Sequence, residues 1–127
     1  MREESLRAFV ERRTDGNERI LSSGHLPIKR FFALDQDVYA DGALTERAKE
    51  LMGLVGSTVL RCNDCISYHL QAATECGASR EEIVEALAIA LVIGGSITIP
   101  HLRHAFTLLD ELQGGAVADR QSKDTGE

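Results

Sequence analysis

Apolar residues recur along this chain at intervals of three and four, the spacing that lines one face of an α-helix. In EESLRAFVERR, residues 3–13, Leu6, Phe9 and Val10 keep that spacing, and TDGN at 14–17 reads as the turn that ends the segment. A second helix is expected from Pro27, a residue favoured in a first helical turn. Ile28, Phe31, Phe32 and Val38 line one side of it, and ADGAL at 40–44 stops it. A third follows Thr45, a good N-cap residue, with Ala48, Leu51, Met52, Val55 and Val59 as its apolar stripe. Glu50 falls off the centre of that stripe, where a solvent-facing residue belongs. A fourth helix carries CNDCISYHLQAATEC, 62–76, and ends at Gly77, a residue type common just past a helix end. Ser79 precedes Glu82 by three residues, the capping-box pattern that opens a fifth helix. That helix is apolar nearly all round as far as Gly94–Gly95, so burial on several sides, a subunit contact included, is expected. The sixth places Leu102, Ala105, Phe106, Leu109 and Leu112 on one face, and tolerates Pro100 only in its first turn.

The lone strand-like run is SITI, 96–99, too short to build a sheet. The pattern therefore predicts an all-α bundle of about six helices. Residues 1–113 form one domain, with 1–24 as a charged helical leader, and the small, polar tail 114–127 is expected to be disordered.

Composition narrows the partners. The chain has 127 residues, 5% of them aromatic and none of them Trp, so the core must be built from Leu, Ile, Val and Ala. A domain of this size leaves much apolar surface uncovered, which favours a homo-oligomer. The net charge of −6 comes with no basic stripe, which argues against nucleic acid and anionic membranes. The most apolar stretch, 86–99, is too short to span a bilayer, and the N-terminus lacks a secretory pattern. The expected location is the cytoplasm, where lasting structural disulfides are rare, so a C-x-x-C there points to redox or metal chemistry.

That pair is Cys62 and Cys65, with His69 four residues on. If Cys62 opens the fourth helix, Cys65 and His69 stack one turn apart, and residues so spaced are ~5–6 Å neighbours. The helix N-terminus, Arg61 and His69 all favour a thiolate, and Asp64 opposes it. If the third and fourth helices form a hairpin turning at 60–62, Glu50 lies ~15 Å back from the turn and His69 ~11–13 Å forward. The two are then nearly level, and the carboxylate would orient the imidazole. A metal site would use the same atoms. Zinc wants four ligands; Cys62, Cys65 and His69 supply three, and Cys76 lies ~21 Å along the helix from Cys62. A third reading treats the cysteines as core, which is the reading that fits Cys76. His101 and His104 form at most a weak metal face, and His25 stands in a loop. No phosphate-loop pattern is present.

The stretch KELMGLVGSTVLRCNDCISYHLQAATECGASREEIVEALAIALVIGG resembles the carboxymuconolactone decarboxylase family, and within it the alkylhydroperoxidase AhpD-like branch. The resemblance spans about residues 44–106. It rests on Glu50 twelve residues before C-x-x-C-x-x-x-H, followed by GASREEIVEA. It implies an all-α bundle assembling as a homotrimer or homohexamer, and a peroxidase with no haem, flavin or metal cofactor. By position, Cys65 would be the peroxidatic thiol, Cys62 the resolving one, and His69 with Glu50 the proton relay. The substrate would be a hydroperoxide and the reductant a dithiol protein, of dihydrolipoyl type in the best-known members. Asp64 stands where AhpD carries a histidine, which implies weaker thiolate formation. The segment LSSGHLPIKRFFALDQDVYADG also departs from AhpD. The alternatives are a decarboxylase-like lyase acting on a small acid, and an oligomeric metal-binding or redox-sensing module.

Overall fold

The computed structural model describes residues 4–113. The chain runs through α1 (Leu6–Leu21), α2 (Leu26–Tyr39), α3 (Glu46–Val59), α4 (Asn63–Glu75), α5 (Arg80–Gly94), a 3-10 turn (Ser96–Thr98) and α6 (Ile99–Leu112). Among the described residues there is no strand, and SITI supplies the 3-10 turn and the first residue of α6. The tail 114–127 lies outside the described residues, as do residues 1–3. Among the described residues no helix is long and apolar enough to cross a membrane.

The α3–α4 hairpin is the frame of the molecule. Thr45 caps α3 by accepting the Ala48 amide, and α3 ends in a Schellman turn. The Arg61 amide donates to the Thr58 carbonyl and the Cys62 amide to the Ser57 carbonyl, both at 3.0 Å. This turn needs a left-handed residue, and Arg61 takes it at φ 60°, a conformation that costs a non-glycine residue about 1 kcal/mol or more. Cys62 thus closes α3 with its backbone and opens α4 with its side chain, since Sγ accepts the Cys65 amide at 3.3 Å. α4 closes on a second Schellman turn at Gly77, φ 90°. α5 packs on α3, and α6 on α4. Leu54, Ile66, Leu70, Ile83, Leu87, Leu108 and Leu109 meet between them, each essentially sealed from solvent. Full burial of each such side chain contributes roughly 1.5–3 kcal/mol.

Two sequence expectations change. The TDGN segment does not end α1, which continues through it to Leu21. One interior glycine costs a helix only ~1 kcal/mol, and the chain turns instead at Gly24, φ 72°. On α3 the buried residues are Glu50, Leu54, Ser57 and Thr58, whereas Met52 of the expected stripe is exposed. Ser57 and Thr58 satisfy their hydroxyls on carbonyls one turn back, so they bury at little cost. Within the chain α5 buries one side, Ile83, Ala86, Leu87 and Ala90. Ile89, Val92 and Ile93 face outward.

α2 buries no residue, and Phe31 on its apolar side is 67% exposed. Its C-terminal end is tied down. Lys49 Nζ donates to the Val38 and Ala40 carbonyls at 2.8 and 2.7 Å. This brings Tyr39 over α4.

Candidate functional site

The site is built where α3 and α4 face each other. Glu50 is 2% exposed and His69 9%, and His69 Nδ1 lies 2.7 Å from Glu50 Oε2. The hairpin makes this pairing, since residues 50 and 69 stand at nearly equal distances from the turn. The solvent-facing position expected for Glu50 is therefore replaced by a buried one. A carboxylate so placed is tolerated only because the imidazole partners it. With Nδ1 turned to Glu50, the ring presents Nε2 to its other side. No hydrogen bond from the described residues takes Nε2, and it is not sealed from solvent.

The imidazole is held by shape as well as by charge. It lies against Gly53, one turn beyond Glu50 on α3. A Cβ at Gly53 would come within 2.6–2.9 Å of three ring atoms. Tyr39 of α2 stands 5.4 Å from the ring centre and tilted by 35°. Tyr68 of α4 meets it edge-on at 5.1 Å and 70°. Burial first, and then the charge on Glu50, push both tyrosine hydroxyls up from their usual range, so both stay protonated. None of these three positions was singled out in the sequence. Gly53 carried one usable signal, its i+3 register to Glu50; the tyrosines carried only their nearness to helix ends and to His69.

Cys62 and Cys65 are joined as a disulfide with their Cα atoms 5.3 Å apart. Cys65 is exposed and Cys62 half-buried. It sits one helical turn before His69. Cys76 lies at the far end of α4, half-buried, where burial and then the charges of Glu46, Glu50 and Glu75 push its thiol up. It takes no part in the pair. Among the described residues no three His, Cys, Asp or Glu side chains converge as a metal-binding group. His101 and His104 turn toward α4 instead. His101 Nδ1 is 2.7 Å from Asn63 Oδ1, and His104 Nε2 is 2.8 Å from Ser67 Oγ. They brace the first turns of the cysteine helix.

Asp64, the charge beside Cys65, is paired. Arg12 of α1 reaches it through Nη1 at 3.1 Å and Nη2 at 2.8 Å and also holds Glu4 at 2.9 Å. The Arg12 hydrogen bonds hold the Asp64 carboxyl below the usual carboxylate range, against a smaller effect of burial. A carboxyl lowered on folding stabilises the folded chain above its unfolded pKa and stops doing so as pH falls through the folded one. Asp64→Asn should therefore lower the melting temperature by a few degrees at most near neutral pH, because the pair is exposed and such pairs contribute about 0–1 kcal/mol. The gap to wild type should close below the usual carboxylate range. A gap unchanged down to pH 2 would show that Asp64 does not carry the bridge.

Comparisons with known proteins place this geometry in context. The family model described as the carboxymuconolactone decarboxylase family matches residues 28–111. A Paracoccus denitrificans protein, named as uncharacterized protein 4 in the cox locus, is 37% identical over 84 residues, 66% of this chain and 76% of its own. A crystal structure from Thermotoga maritima is 59% identical, covers 87% of this chain and 96% of its own, and has a TM-score of 0.83. A second structure of that protein, described as a carboxymuconolactone decarboxylase family member with a suggested part in antioxidative response, is 56% identical with a TM-score of 0.78. It covers 94% of this chain and 95% of its own. An apo protein of the same family from Legionella pneumophila is 25% identical with a TM-score of 0.77, covering 84% and 95%.

Proposed function

This chain belongs to the carboxymuconolactone decarboxylase family, and on that premise we propose that it is a thiol-dependent peroxidase of the alkylhydroperoxidase AhpD-like branch. The observation that carries the proposal is the C-x-x-C pair at the head of α4 one turn before a buried His69–Glu50 dyad. The antioxidative part suggested for the Thermotoga relative points the same way.

In the reduced protein Cys65 gives its proton to His69 Nε2, while Glu50 stabilises the imidazolium through Nδ1–H. The thiolate attacks the outer oxygen of a hydroperoxide and the O–O bond breaks. The leaving alkoxide takes the proton back from His69, leaving an alcohol and a sulfenic acid on Cys65. Cys62 then attacks the Cys65 sulfur. Hydroxide leaves and takes up the Cys62 proton as water. One hydroperoxide and two thiols have become an alcohol, a water and the Cys62–Cys65 disulfide. A dithiol reductant of dihydrolipoyl type restores the pair by exchange, becoming a disulfide itself. The proposal sets this chemistry in the cytoplasm, with no cofactor. The exposed apolar sides of α2 and α5 support assembly into a homotrimer or homohexamer.

The test is a thiol count on the reduced protein, with its assembly mass read by light scattering, before and after one equivalent of an alkyl hydroperoxide. The expected result is rapid loss of two thiols to a Cys62–Cys65 disulfide located by peptide mass. Thiols that survive would overturn the proposal. Activity on a small acid that persists without both cysteines would replace it with a lyase built on the dyad alone.

A further inference from the structure

The helix α1 lies outside the family-matched stretch, yet two consecutive residues of it reach α4 on either side of Cys65. Arg12 pairs with Asp64, as above. Arg13 lays its guanidinium over the Tyr68 ring, 4.2 Å from the ring centre. Tyr68 in turn meets His69 edge-on. The seat of α1 is firm: Phe9 is 3% exposed, and the Leu6 amide donates to Glu111 Oε1 at 2.9 Å. Beside this stack lies a cavity of about 500 Å³, lined by Val10 and Arg13 of α1, Glu46 and Glu50 of α3, and Tyr68 and Cys76 of α4. One side of the dyad therefore borders a polar cavity whose one cation is Arg13.

We propose that Arg13 is a positioning residue for His69, acting through Tyr68, so that α1 is a working part of the redox site. The inference rests on the proposed role of the His69–Glu50 dyad. Two effects carry it. The guanidinium pins the Tyr68 ring, and the ring limits the directions Nε2 can take. Arg13 also sets a positive charge beside a site whose acidic neighbours include Glu46 and Glu50 of α3, Glu75 of α4 and Asp35 of α2. The two aromatic rings against the imidazole, Tyr39 and Tyr68, carry uncharged hydroxyls. Removing Arg13 frees the ring and leaves the carboxylates unopposed, which favours the imidazolium.

The experiment follows His69 directly, by its NMR titration, beside the pH profile of Cys65 alkylation in the reduced protein. Arg13→Ala should move the His69 titration and the alkylation profile upward together, and lower the limiting alkylation rate about three- to tenfold, the size of a partly shielded cation–π contact. Arg13→Lys should restore most of both. Arg7→Ala, at an exposed residue of the same helix that pairs with Glu11 among the described residues, should move neither. Tyr68→Leu should lower the limiting alkylation rate to the same extent, and Arg13→Ala added to it should lower that rate no further, while the upward shift of the titration, which comes from the lost charge, still appears. Titration and profile that superimpose on wild type in Arg13→Ala would overturn the inference, as would losses of limiting rate in Arg13→Ala and Tyr68→Leu that simply add. The His69 titration needs no peroxide, so it decides the role of Arg13 even if the peroxidase reading fails in the thiol count.

Discussion

Gly53→Ala is expected to remove most of the thiol reactivity while the protein still folds. The new Cβ would stand 2.6–2.9 Å from the Cε1, Nδ1 and Nε2 atoms of His69. That is well inside contact distance, so the ring must move. It has no room to move and keep its bond to Glu50, because Tyr39 and Tyr68 stand against it. The 2.7 Å contact therefore breaks, and Nε2 is aimed elsewhere. Positioned proton transfer contributes roughly 10²–10⁴-fold in rate, so a loss of about a hundredfold or more in peroxide-driven thiol oxidation is expected. Stability changes far less. Overpacking costs about 1–3 kcal/mol, and replacing glycine by alanine inside a helix returns about 1 kcal/mol. The measurement is the second-order rate of thiol loss set beside a thermal melt. A Gly53→Ala protein that reacts at the wild-type rate would show that His69 need not sit where Gly53 allows it.

Cys65→Ser is expected to abolish turnover outright, and Cys62→Ser to stop it after one event. The two sulfurs differ in their surroundings. Cys65 is exposed and one turn from His69; Cys62 is half-buried, and its Sγ accepts the Cys65 amide. A serine hydroxyl at 65 is not ionised near neutral pH and cannot accept oxygen from a peroxide. With serine at 62 the first oxidation proceeds, but no thiol remains to resolve it. Cys65 sulfenic acid should then accumulate to one equivalent and go on to irreversible forms under excess peroxide. Mass spectrometry with a sulfenic-acid trap reads both variants. Trapping at Cys62 in the Cys65→Ser protein, with an inert Cys62→Ser partner, would exchange the two roles. Full peroxide turnover in both variants would remove the cysteines from the chemistry.

Local rules made much of this protein readable in advance. The Ser79–Glu82 capping box, Thr45 at the head of α3, Gly77 at the foot of α4 and Pro100 in the first turn of α6 all stand where their chemistry requires. Each concerns a few neighbouring residues, and a helix end is decided by the groups within one turn of it. The Cys62, Cys65 and His69 register was legible for the same reason, since it lies on one helix. Even the level pairing of Glu50 with His69 followed from rise per residue and one assumed turn.

The remainder depended on which face of each helix finds a partner, and periodicity counts apolar residues without saying what they meet. On α3 the apolar stripe pointed to Met52, and the packing chose Glu50, Leu54, Ser57 and Thr58. Glu50 could bury because His69 arrives from another helix, and Ser57 and Thr58 because their hydroxyls return to their own backbone. TDGN looked like a turn, but α1 ran through it, held by Phe9 and by arginines that reach α4. Gly53 drew no notice along the chain, because its role is the space it leaves for a ring sixteen residues away on a different helix. The sequence by itself thus determined the six helices, the ends of those that carry a cap or glycine signal, and the thiol pair, all products of short-range geometry. Only the tertiary structure decided that the imidazole would be buried, walled by Tyr39 and Tyr68 and overlooked by α1, because those contacts join residues that no local rule connects.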